Sequence, residues 1–145
     1  WEAYLEGDQN ALTADEQAGL ATFVEVGCTT CHFGATVGGG MLQRIGLVTP
    51  FECEDLGRYD VTKAEADKRL FKVPMLLNVA ETAPYFHDGS VATLDEAVRL
   101  MATHQLGKTL ADEQVASIVT FLRALTGEPQ WVGEPEAPHS RRSTR

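Results

Sequence analysis

A chain of 145 residues with 12 Lys and Arg against 21 Asp and Glu carries a net charge of −9, and 43% of its residues are hydrophobic. That length and composition suit one ordinary globular domain and exclude wholesale disorder. Three of the twelve cations are Arg141, Arg142 and Arg145, so residues 1–140 sum to 9 − 21 = −12, which excludes the basic face a nucleic-acid binder needs and points to partners with a basic docking patch.

The chain opens at Trp1 without a basic n-region or signal-peptide pattern, and is expected to be a processed form or a piece of a longer protein. Thr13–Ala14–Asp15–Glu16 is a capping-box pattern, and Leu20, Phe23 and Val24 follow at helical spacing up to Gly27. The longest uncharged run, Val26 to Gln43, carries five glycines and reads as loop, so no membrane span is expected. Some 65 residues then pass with little periodicity, broken by Gly38–Gly39–Gly40, Pro50, Pro74 and Pro84. Composition predicts a short helix over about Thr62–Leu70, and no stretch alternates convincingly as a strand. Thr93–Leu94–Asp95–Glu96 opens a second main helix whose apolar stripe is Leu94, Ala97, Val98 and Met101. A third runs from about Asp112 to Thr126, with Val115, Ile118, Val119, Leu122 and Leu125 on one face, and is ended by Gly127 and Pro129. Residues 1–127 are therefore expected to form the domain, and 128–145 an extended, Pro-containing tail with a basic end. So long a loop region in a small domain predicts that something other than secondary structure fills the centre.

Cys28–Thr29–Thr30–Cys31–His32 is a C-x-x-C-H motif, the pattern of c-type haem attachment. Two thiols three residues apart can each form a thioether to one vinyl of the same porphyrin, and the adjacent histidine is then held under the iron. Covalent anchoring lets a loop-rich chain use its cofactor as core. Three competing readings fare worse. A thioredoxin-like C-x-x-C expects a preceding strand where this chain predicts a helix. A zinc knuckle lacks a second ligand pair. A structural disulfide leaves His32 unexplained. One motif implies one haem, and attachment outside the cytoplasm implies a periplasmic or otherwise exported protein. Cys53 receives no role. For the sixth iron ligand the residues leave Met41, Met75, Met101, His87, His104 and His139 open; a Met on an apolar helical stripe, as Met101 is, commonly serves as core alone.

Phe71–Lys72–Val73–Pro74–Met75–Leu76–Leu77–Asn78–Val79, followed by Thr82–Ala83–Pro84–Tyr85–Phe86–His87–Asp88–Gly89, resembles the C-terminal haem domain of the bacterial di-haem cytochrome c peroxidase family. The resemblance extends in order from Tyr4 to Gly127, through Cys28–His32, Leu94–Met101 and Gln105–Leu106–Gly107. It implies an all-α, loop-rich cytochrome c-type fold organised around one covalent haem, with the first and last helices packed across each other. It also implies a high-potential haem that takes electrons from a small redox protein and passes them to a second haem domain, where peroxide is reduced. On matching positions Cys28 and Cys31 are the thioether anchors, His32 the proximal ligand and Met101 the distal ligand. The carbonyls of Thr82 and Pro84 match part of a calcium site, and His87 a histidine near the haem. Met75 and Leu77 depart from the Thr and Arg usual in the family, and the peroxidatic half with its own C-x-x-C-H is absent. The expected role is that of an electron-transfer module, with a catalytic haem peroxidase as the rival reading. An open coordination position on the iron would favour the rival.

Overall fold

Thr13 opens the first long helix with a complete capping box: its hydroxyl accepts from the Glu16 N–H at 3.3 Å, and the Glu16 carboxylate accepts from the Thr13 N–H at 2.7 Å. In this computed structural model, which describes residues 1–127, the helix runs over Ala14–Val26 (α2) and follows a single turn at Glu2–Leu5 (α1). Gly27, at φ 102°, ends α2 by donating its N–H to the carbonyls of Phe23 and Val24. The tail expected over 128–145 lies outside the described residues.

Two further helices carry the predicted signals. Leu94–Leu106 (α4) starts at Thr93, whose hydroxyl accepts from the Glu96 N–H, and ends at left-handed Gly107. Asp112–Ala124 (α5) has Asp112 and Glu113 in its first turn, and the Gln114 side chain accepts from the Ala111 N–H at 3.0 Å. The main packing is α2 across α5, with α4 against α5. Gly19 makes the crossing close: a Cβ there would lie 2.2 Å from the Ser117 carbonyl oxygen. Phe23 and Phe121 meet beside it with ring centroids 5.4 Å apart, and Val115, Ile118 and Phe121 are the most deeply buried large side chains. Trp1 closes one end, its indole N–H donating to the Ala35 carbonyl at 2.7 Å and its ring standing edge-on to Phe121.

The stretch between α2 and α4 is largely irregular, but it is not free of strands. Leu42–Arg44 (β1) pairs antiparallel with Leu70–Lys72 (β2), in the register Leu42↔Lys72, Gln43↔Phe71, Arg44↔Leu70. The class is thus helical and loop-rich with a small ribbon added. A short helix does form at Tyr59–Thr62 (α3), whereas Thr62–Leu70 does not continue as one. Lys63 and Arg69 adopt left-handed φ of 56° and 58° on either side of a single 3₁₀ turn at Glu65–Asp67, and Leu70 then enters β2. The Arg44 guanidinium holds this open shape by donating to the carbonyls of Lys68 at 2.6 Å and Ala66 at 2.8 Å. Long-range bonds outweigh helix-favouring composition here. Among the described residues no helix is long and apolar enough to cross a membrane.

Candidate functional site

The Cys28–His32 motif folds as one tight turn because α2 stops abruptly before it. Gly27 reverses the backbone, Cys28–Thr30 forms a 3₁₀ turn, and the N–H groups of Cys31 and His32 both donate to the Cys28 carbonyl. The turn faces a cavity of about 940 Å³, lined mainly by apolar side chains of α2, α4, α5 and the intervening loops. That volume lies at the upper end for small-molecule and cofactor sites. Cys28, Cys31, His32 and Met101 all line it.

His32 is held in a particular cradle. Its Nδ1 is buried and has no partner in hydrogen-bonding geometry. Burial, the larger effect, pushes its pKa below the ordinary histidine value, against the pull of the Val37 and Pro74 carbonyls beside it. Gly38 permits that approach: at φ 124°, a Cβ would lie 2.2 Å from the Pro74 carbonyl oxygen and 3.0 Å from the His32 Nδ1. A neutral imidazole is the form a metal ion needs. Cys28, Cys31 and Cys53 are free thiols, and burial pushes Cys28 up to about 11. A thiol shifted upward is the opposite of the activated thiolate of a redox C-x-x-C. Among the described residues no three His, Cys, Asp or Glu side chains converge as for a metal ion, so nothing joins the motif to complete a zinc site. A helix before the motif, a buried imidazole kept neutral and a large apolar cavity lined by both cysteines together fit a haem.

The other expected residues scatter. Met75 lines the cavity at its rim with half its surface exposed, and Met41 is not among the lining residues. His87, also at the rim and largely exposed, meets the Asp55 carboxylate through its Nδ1 at 2.5 Å and leans against Phe71. His104 does not line the cavity; its Nδ1 lies 3.1 Å from the Thr49 carbonyl and its ring stands edge-on to Phe51. His139 lies outside the described residues. Thr82 and Pro84 occupy an exposed turn at the cavity edge. Cys53 lines the cavity as a half-buried thiol whose Sγ–H donates to the Asp55 carbonyl, and burial raises its pKa. Beside His87, Asp88 is held below the usual carboxylate range, chiefly by hydrogen bonding from Ser90. Gln105, Asp55 and Gly38 were not singled out by the sequence as site residues, because each depends on a partner 30 or more positions away.

No protein-family model matches the chain. Curated relatives match nearly all of it, two of them as follows. The cytochrome c551 peroxidase of Nitrosomonas europaea is 44% identical over 146 positions, covering 99% of this chain and 44% of that protein. The cytochrome c peroxidase Ccp of Escherichia coli is 48% identical over 132 positions, covering 88% of this chain and 28% of its own length. The chain is homologous to a part of the bacterial cytochrome c peroxidases. It spans less than half the length of these relatives. Among solved structures, a MauG-like protein associated with microbial copper homeostasis superposes with a TM-score of 0.65 at 26% identity, covering 81% of this chain and 48% of that one. The fold of this cytochrome c peroxidase homologue is therefore shared by a protein related to MauG.

Proposed function

We propose that this chain is an electron-transfer c-type cytochrome domain holding one haem, bound covalently through Cys28 and Cys31 and ligated by His32 and Met101. The observation that carries the reading is the apolar cavity that brings these four side chains together in a chain homologous to part of the cytochrome c peroxidases. Bound there, the haem supplies a one-electron couple between its two iron oxidation states. The protein's own residues do the rest. His32 offers a neutral imidazole, kept neutral by burial. Met101 offers a thioether, a ligand that raises the potential relative to a second imidazole. Leu94, Ala97 and Val98 give α4 an apolar face toward the cavity.

In this reading the chain resembles the electron-accepting half of a di-haem peroxidase, its acidic surface receives a redox protein with a basic patch, and the protein is exported, since haem c is attached outside the cytoplasm. A second haem domain acts with it, and the carbonyls of Thr82 and Pro84 contribute to a calcium site only when that neighbour supplies the remaining ligands. The rival reading, a catalytic peroxidase chain, draws on the peroxidase names of the relatives.

The test is spectroscopic. The intact mass should exceed that of the polypeptide by one haem, and the oxidised protein should show the weak far-red sulfur-to-iron band. Met101→Ala should remove that band and lower the reduction potential, whereas Met75→Ala should leave both. The reverse pattern makes Met75 the ligand, and a five-coordinate iron in the unaltered protein that turns over peroxide rapidly makes the chain an enzyme.

A further inference from the structure

The last turn of α4 is tied to the loop over residues 44–51 by side chain and backbone together. The Gln105 amide oxygen accepts from the N–H groups of Gly46 at 2.8 Å and Leu47 at 3.0 Å, and its NH₂ donates to the Arg44 carbonyl at 3.0 Å. The His104 carbonyl, among the last of the helix and so without a partner inside it, accepts from Val48 at 3.0 Å and Thr49 at 3.2 Å. Three main-chain groups at the end of β1 and in the loop after it thus find their partners on one side chain, whose amide supplies both the acceptor and the donor they need. Gln105 stands four residues, about one helical turn, beyond Met101, and both line the cavity. Gln43, Ile45 and Phe51 line it from the loop side.

We propose that Gln105 is a positioning residue for Met101, an inference that rests on the His32–Met101 ligation above. With its three bonds intact, α4 and the 44–51 loop leave the cavity only together. The Met101 thioether is kept at the iron, and small molecules are kept from its place. Gln105 needs no contact with the haem to do this.

Three holoproteins test it: the unaltered chain, Gln105→Leu, which removes all three bonds, and Gln105→Glu, which keeps the two accepted ones when ionised. Amide hydrogen exchange at Gly46 and Leu47 reports the loop. The rate of imidazole binding to the oxidised haem and the strength of the far-red band report the ligand. Gln105→Leu should raise both rates roughly tenfold or more, because three bonds each worth a several-fold factor are lost. It should also weaken the band, and Gln105→Glu should fall between. If loop exchange rises while imidazole binding and the band stay unchanged, Gln105 only fastens the loop and the proposal is overturned. Unchanged exchange overturns it as well. Should Gln105→Leu fail to fold, Gln105→Glu decides by the same pair of readouts. An unaltered protein without the band, or a Met101→Ala protein that keeps it, overturns the ligation itself and is recognised before any Gln105 variant is read.

Discussion

At Gly38 the backbone takes a φ of 124°, a conformation closed to residues with a Cβ, and does so where the Pro74 carbonyl and the His32 ring converge. Strain and collision act at one atom. Gly38→Ala should therefore cost ~3 kcal/mol or more in the haem-loaded protein, read as a shift of the urea midpoint. Gly40, two residues on, has no left-handed φ and open space where a Cβ would stand, with nothing within 4 Å, so Gly40→Ala should stay within about 0.5 kcal/mol. Equal effects at the two glycines would mean that the cradle around His32 is not what Gly38 serves. The same contrast explains what was legible at this scale. Cys28, Cys31 and His32 are adjacent in the chain and announce their chemistry by spacing alone. The Gly38–Pro74 approach and the Asp55–His87 pair join residues more than 30 positions apart, and no local pattern records them.

Among elements, α2, α4 and α5 were readable because their signals are local: a hydroxyl cap or a polar first turn, an apolar stripe, and a terminator. The ribbon was not, because three-residue strands are too short to alternate and exist only through pairing of β1 with β2 across some 28 positions. The Thr62–Leu70 segment misled for the converse reason, since helix-favouring residues there answer to Arg44 bonds from outside the segment. The α2–α5 crossing yields the element-scale prediction. A glycine inside a helix costs about 1 kcal/mol relative to alanine, so Gly19 must have another use. That use is contact: the Ser117 carbonyl and the Phe121 backbone occupy the space a methyl would take. Gly19→Ala should improve helix propensity yet lose ~2 kcal/mol overall by forcing the helices apart. Urea unfolding measures it, and a stabilised variant would show that the crossing yields at no cost.

For the whole molecule the deciding quantity is charge. A net −9 sets a field that concentrates cationic partners and repels anionic ones, although the cavity lining itself mixes Asp55, Asp60 and Asp88 with Arg58 and Lys72. The individual surface ion pairs, such as Arg99–Asp112 at 2.6 Å, are exposed and add little to stability. The imbalance matters for encounter. Exposed charges interact over a Debye length of about 30 Å at 0.01 M salt but only about 8 Å at 0.15 M, so steering is strong in dilute buffer and fades as salt rises. Electron exchange between the reduced holoprotein and a basic small redox protein should consequently slow about tenfold or more between roughly 0.01 and 0.5 M salt. Exchange with an acidic carrier of similar potential should begin slow and quicken over the same range. Peroxide is uncharged, so direct oxidation by it should be slow and nearly independent of salt. Stopped-flow traces at several ionic strengths separate the three cases. A salt-insensitive rate with the basic partner would mean that docking does not use the acidic surface, and fast saturable oxidation by peroxide at every salt concentration would assign the chain its own catalytic iron.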